Sequence, residues 1–370
     1  MKRYVIPLAI AMTLLAACGS APVAAPQEQA VPTNLPSAAS SSQTTADAAN
    51  LNAIKTYLLQ KTSALKANTA RLQQASERYY NLAAAATFDY NALAQQPDAL
   101  AAAREAREAW LAASPGYEQM EGVVAGTASL ADYDVILDAG GSGADDPENA
   151  VPFDLKLPDG RVLARPGNLF GVTESALWGT EPDYTSNVPV DLNGNGAHDF
   201  GELLPEANVL KAAADALDRY AGELVTAAQA WQPTRTDAFT ALVVMVPTMN
   251  EYFDSWKNSR FVSGDASRQR DFVAISRLSD MQDILGGLQV VYEGVSPEVQ
   301  AVDTAQDTQI SEGLTDLKAF VADIYSREQS GKRFTPEDAD LLGAEAQNRA
   351  TALTGQIAQV AAKLHIQVEE

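Results

Sequence analysis

Histidine and cysteine are almost missing from this chain: two of the first and one of the second among 370 residues. A single cysteine excludes an intramolecular disulfide. His198 and His365 alone cannot build an HExxH pair or a three-histidine site, so zinc hydrolysis lacks its usual ligands. Basic residues are scarce as well, 26 against 48 acidic, and a net charge of −22 repels phosphate backbones and anionic headgroups. Nucleic acid is therefore not an expected partner, whereas cations are attracted, although charge alone selects none. No apolar run reaches the roughly 20 residues that span a bilayer as a helix. No convincing strand alternation appears either, and the glycines of "GGSG" at Gly140 to Gly143 have no phosphate-loop lysine, which leaves them a flexible turn.

What is present begins with an export signal over residues 1–17. Lys2 and Arg3 precede an apolar stretch from Val5 to Ala17 that ends in small residues. "LAAC", Leu15 to Cys18, resembles the lipobox of bacterial lipoproteins, which implies lipidation of Cys18 and a membrane anchor. Gly19 and Ser20 follow without an inner-membrane retention Asp, so the expected location is the outer membrane facing the periplasm, or the cell surface. Residues 18–45 are rich in Ala, Pro, Ser and Gln and bury too little to order themselves; they read as a tether.

From residue 46 the chain reads as an all-α body of 370 − 45 = 325 residues. Leu51, Leu58, Leu65, Leu72 and Tyr79 recur every seven positions, as in a long bundle helix. "PDALAAAREAREAWLAA" predicts a second helix stopping at Ser114-Pro115-Gly116, and "YEQMEGVVAGTASLADYDVILDA" one or two more. Residues 140–205 are irregular, rich in Gly, Pro, Asp and Asn, and loops of that length are often functional. Helices resume afterwards, among them "SRQRDFVAISRLSDMQDILGGLQVVYEGV" and then a new one from "SPEVQ". The reading is a helical bundle over 46–205, carrying the insertion, and a second over 206–370.

Three fragments carry a resemblance: "YExxE" at Tyr117, Glu118 and Glu121; "LxxxDxxxDA" at Leu130, Asp134, Asp138 and Ala139; and "ExALW" at Glu174 to Trp178. In this order and spacing the chain resembles the imelysin superfamily (peptidase M75 type), particularly its iron-uptake lipoproteins of the EfeO and EfeM type. The resemblance implies two antiparallel four-helix bundles with a cleft between them. It implies a metal site at a "GxHxxE" motif as well, but here Gly171 stands at the histidine position and Leu169 at the first glycine. Glu174 keeps its place without a nitrogen partner, which shifts any site toward harder, oxygen-preferring cations. The acidic positions that match the family's cleft are Glu121, Asp138 and Glu174, a possible site for iron or another divalent cation. The bland alternative is that they pair with Arg104, Arg107 or Arg165.

"DLNGNGAHDFGE", residues 191 to 202, fits the EF-hand calcium template on its own. Asp191, Asn193, Asn195, Asp199 and Glu202 supply oxygens at positions 1, 3, 5, 9 and 12, Ala197 its carbonyl at position 7, and Gly196 the sharp turn. Extended flanks and His198 at position 8 suggest a solitary loop, expected to bind calcium weakly; an unliganded Asn-Gly turn is the alternative. Together these features predict a binding lipoprotein rather than an enzyme, with iron-transport components as its expected partners. A metallopeptidase, disfavoured by the missing histidine, and a calcium-stiffened adhesion protein are the rivals.

Overall fold

The computed structural model describes residues 43–368; the signal segment, Cys18 and nearly all of the tether lie outside the described residues. The first helix, α1 (Gln43–Ala85), turns its heptad stripe inward, with Leu58, Leu65, Leu72 and Tyr79 fully buried. It ends where Thr87 and Phe88 adopt left-handed backbone, and a one-turn helix, α2 (Tyr90–Leu93), follows with Asp89 as its cap. Helix α3 (Pro97–Val124) faces α1 with alanines, Ala99, Ala102, Ala103, Ala106 and Ala109, whose small side chains let the two helices pack closely.

Helix α3 does not stop at Ser114-Pro115-Gly116 as the sequence predicts; it runs through Pro115 for another nine residues. Proline inside a helix costs about 3 kcal/mol. The same stripe, however, continues from Trp110 and Ala113 to Tyr117, Met120 and Val124, all buried, and each large apolar side chain contributes about 1.5–3 kcal/mol. Packing therefore outweighs the breaker, and Glu118 and Glu121 are delivered to the core on one continuous helix.

The insertion is irregular but ordered. A one-turn helix, α4 (Ala131–Asp134), and a π-helical turn, Val135–Ala139, lead into it. The hairpin β1 (Leu155–Lys156) with β2 (Val162–Leu163) follows, then α5 (Leu169–Trp178), and the second hairpin, β3 (Thr185–Pro189) with β4 (Leu203–Pro205). Helix α6 (Ala207–Ala230) returns against α1, and the short α5 packs on α6 and α3 to complete the first group of helices.

The second group starts with α7 (Arg235–Met245), and a tighter turn over Val246–Thr248, holding Pro247, separates it from α8 (Met249–Asn258). A one-turn α9 (Arg260–Ser263) leads into an irregular stretch, not the predicted helix, and α10 (Arg277–Val302) begins ten residues later than expected from Ser267. Ser276 caps α10 through the Leu278 N–H. Helix α10 also runs through Pro297, and the break before α11 (Thr304–Gln329) falls at Asp303, whose side chain caps the new helix. Helix α12 (Pro336–Lys363), opened by a capping box of Thr335 and Asp338, packs on α8 and α11. The two groups meet along α3 and α10 within one continuous core. Gly287 permits that meeting, since a Cβ there would lie 2.4 Å from the Gln119 carbonyl oxygen. The all-α reading holds, with only short strands among the described residues.

Candidate functional site

Three elements bring acidic side chains to one place. Glu118 and Glu121 share a face of α3, three residues apart; the π-helical turn presents Asp138; and the first turn of α10 adds Asp280 beside Arg277. All five residues are buried. One oxygen each from Glu118, Glu121 and Asp138 lies within 4.8 Å of the others, the one such group among the described residues. Arg277 Nη1 lies 2.9 Å from Asp280 and 3.6 Å from Glu118, and its guanidinium lies over the rings of Phe272, at 3.8 Å, and Tyr252, at 4.7 Å. The Tyr252 hydroxyl donates to Glu121, and the Tyr117 hydroxyl donates to Asp134 at 2.7 Å.

A single guanidinium cannot neutralise this many carboxylates. Burial pushes Glu118 and Asp138 well above the usual carboxylate range; for Glu118 the charges of Asp280, Asp138 and Glu121 add to the effect, and Arg277 opposes it in both. Burial likewise pushes Asp134 up to about 7 and Asp280 up to about 6. Two acceptors, Glu118 Oε2 and Glu121 Oε2, are buried with no hydrogen-bond partner. An orphaned buried acceptor costs about 1–3 kcal/mol, a cost that a coordinated cation removes. Carboxylate oxygens without nitrogen or sulfur donors suit hard cations.

Of the three positions expected from the resemblance, Glu121 and Asp138 come together, joined by Glu118. Glu174 does not join them. Its carboxylate accepts the backbone N–H groups of Phe272 at 2.6 Å, Val273 at 2.9 Å and Ala274 at 2.8 Å, and so fixes the irregular stretch that precedes α10. Burial pushes Glu174 up to about 8 against those donors. Ser175 and Thr180 add hydroxyl bonds to the Arg270 carbonyl, so α5 acts as the anchor of the 270–274 backbone. At Gly171, where the family's motif has histidine, a Cβ would meet the Asp271 carboxylate at 2.5 Å. The space for that histidine is taken by an aspartate from the anchored stretch.

The expected arginine partners are elsewhere. Arg107 donates to the carbonyls of Leu177 and Gly201, and Arg165 to those of Val151 and Pro147, while no ion pair of Arg104 occurs among the described residues. The partner is Arg277, which the sequence reading missed together with Asp280 and Tyr252. An Arg and an Asp three apart among Leu278, Met281 and Ile284 was the available signal, because a charged pair on an apolar helix face needs a buried counterpart.

The 191–202 loop lies apart from this site, between β3 and β4. Gly194, Gly196 and Gly201 take positive φ values of 78°, 82° and 82°. Asp191 accepts the N–H groups of Gly194 and Gly196, which hold its carboxyl below the usual range. Glu202, buried, accepts those of Leu192, Asn193 and Asp199, and the amides of Asn193 and Asn195 donate to Asp199. Ala197 is exposed, its N–H bonded to Asn195 Oδ1. The loop is thus closed by its own polar groups.

Glu121 and Asp138 line a cleft of about 530 Å³ between the 138–145 turn and α8, with the 268–277 stretch along its side, and Glu118 lies buried behind them. No curated protein matches the chain. A family model described as imelysin, of the peptidase M75 type, matches residues 53–360, a span holding α3, the insertion and α10 alike. The chain belongs to the imelysin family.

Proposed function

We propose that this is an envelope-anchored imelysin-family protein that binds a hard cation, iron by the family's precedent, on Glu118, Glu121 and Asp138, and that it binds rather than hydrolyses. The observation that carries the reading is the convergence of three buried carboxylates, two of them with an unpartnered oxygen. A purely structural cluster of this kind would be expected to satisfy its own acceptors. Against a peptidase role stands the chemistry of the donor set: no histidine accompanies these carboxylates, and the position that would supply one is Gly171.

Two further parts of the proposal rest on sequence. Cys18 is the lipid anchor to the outer membrane or cell surface, with iron-transport components as partners. Asp191, Asn193, Asn195, Ala197, Asp199 and Glu202 form a separate calcium loop that stiffens the β3–β4 hairpin. That assignment rests on the match to the template, with Glu202 at its closing position.

Calorimetric titration with ferrous, ferric, manganese and zinc ions tests the cleft, with calcium saturating the loop beforehand. Wild type should take up one equivalent of a hard cation, and Glu118→Gln/Glu121→Gln, of the same shape, should lose it. If the variant binds every ion as wild type does, the carboxylates are structural and the proposal fails.

A further inference from the structure

The cleft offers more room, and more kinds of charge, than a bare cation uses. Its volume of about 530 Å³ leaves space for a small organic ligand beside a metal ion. Five carboxylates, those of Glu121, Asp138, Asp145, Glu251 and Asp271, line the cavity together with three arginines, Arg268, Arg270 and Arg277. These are three of only 26 basic residues in the chain, and all fall within ten consecutive positions, 268 to 277.

Both signs have unused bonding capacity. Glu118 Oε2 and Glu121 Oε2 are buried acceptors without a donor, and Arg277 Nε is a buried donor without an acceptor. Arg268 is exposed and, among the described residues, its side chain bonds the Ser267 carbonyl alone, at 3.3 Å, which leaves most of its five N–H donors unused there. Arg270 spends one nitrogen on the Pro166 carbonyl, at 2.9 Å, and holds the other 3.8 Å from Asp271. Guanidinium groups bind carboxylates through paired, charge-assisted hydrogen bonds, a geometry that a metal ion cannot use.

We propose that the cleft takes its metal as a complex with a small polycarboxylate, the ion on Glu118, Glu121 and Asp138 and the chelating anion on Arg268 and Arg270. The inference rests on the cation reading above and names the form in which the cation arrives. The carboxylates of such a chelate satisfy the arginines as its metal satisfies the acidic floor. Acid and base on one cavity wall then serve the two halves of one ligand.

The test is anaerobic calorimetry with ferrous ion alone, ferrous ion in excess citrate, and citrate alone. Wild type should bind the citrate complex about ten-fold or more tightly than the free ion, the scale of a hydrogen bond to a charged group. Arg268→Gln should reduce that ratio, Arg268→Gln/Arg270→Gln should bring it close to one, and Arg268→Lys should retain part of it. Melting temperatures of the variants show whether the fold survives; Arg268→Gln, at an exposed position, is the arm least able to disturb it. Citrate that only competes for the metal and lowers binding would overturn the inference, as would a ratio unchanged in the double variant, or citrate alone binding as tightly as the complex. If iron is bound in neither form, the cation reading falls as well; if free ferrous ion binds and citrate gives no gain, only the chelate is refuted.

Discussion

Glu174→Ala removes the acceptor of three backbone N–H groups at once and so tests how the site is held. Val273 is buried, and its orphaned donor costs about 1–3 kcal/mol; Phe272 and Ala274 are half-buried and reach water at a smaller cost, for a total of about 3 kcal/mol. The loss is local. Phe272 stands at a φ of 57°, a left-handed conformation costly for a non-glycine residue, and its ring covers the Arg277 guanidinium at 3.8 Å. Once the clamp is gone the backbone can relax and uncover Arg277. The pH dependence has a definite sign: burial raises Glu174 to about 8 from an ordinary value of 4.5, so its stabilising contribution is complete below 4.5 and is lost as pH rises through 8. The variant lacks that titration. Its deficit against wild type should therefore be largest near pH 5 and narrow toward pH 8. Urea unfolding at the two pH values measures the deficit, and hydrogen exchange by mass spectrometry reads the amides of 270–276, which should lose protection before the rest of the protein unfolds. A deficit below about 1 kcal/mol at pH 5, with unchanged exchange in that stretch, would refute the anchoring role of Glu174.

Three other measurements bear on separate parts of the account. Gly287→Ala should cost about 1–3 kcal/mol in urea unfolding, because its Cβ would press on the Gln119 carbonyl and drive α10 from α3; an unchanged midpoint would mean that the contact is not rigid. Calcium should raise the melting temperature of wild type by binding the folded loop only, and Glu202→Gln should remove most of that rise; equal shifts would leave 191–202 an ordinary turn. Cys18→Ser should move the protein from the membrane to the soluble fraction on sedimentation, and a variant that still sediments would end the lipoprotein reading.

Repeating patterns of side chains were readable without coordinates. The seven-residue spacing from Leu58 to Tyr79 specified a buried helix face, since helical periodicity is a local property of consecutive residues. Family membership was readable as well, because "YExxE", "LxxxDxxxDA" and "ExALW" keep their order along the chain. Helix ends were read less well. Pro115 and Pro297 are breakers by local rules, yet both sit inside helices, because burial on each side contributes more than the lost hydrogen bond costs.

The acidic site needed the tertiary structure. Glu118 and Glu121 are neighbours on one helix, but Asp138 joins them only through the π-helical turn, and Arg277 and Asp280 arrive from some 160 positions away. No local pattern encodes a contact across that separation; it exists because Gly287 lets α10 lie against α3 and because α5 ties down the residues before α10. The same long-range packing decided the fate of Glu174. Its place in the family's motif suggested a metal ligand, while the backbone donors that converge on it made it the clamp that positions Phe272 and Arg277 over the carboxylates.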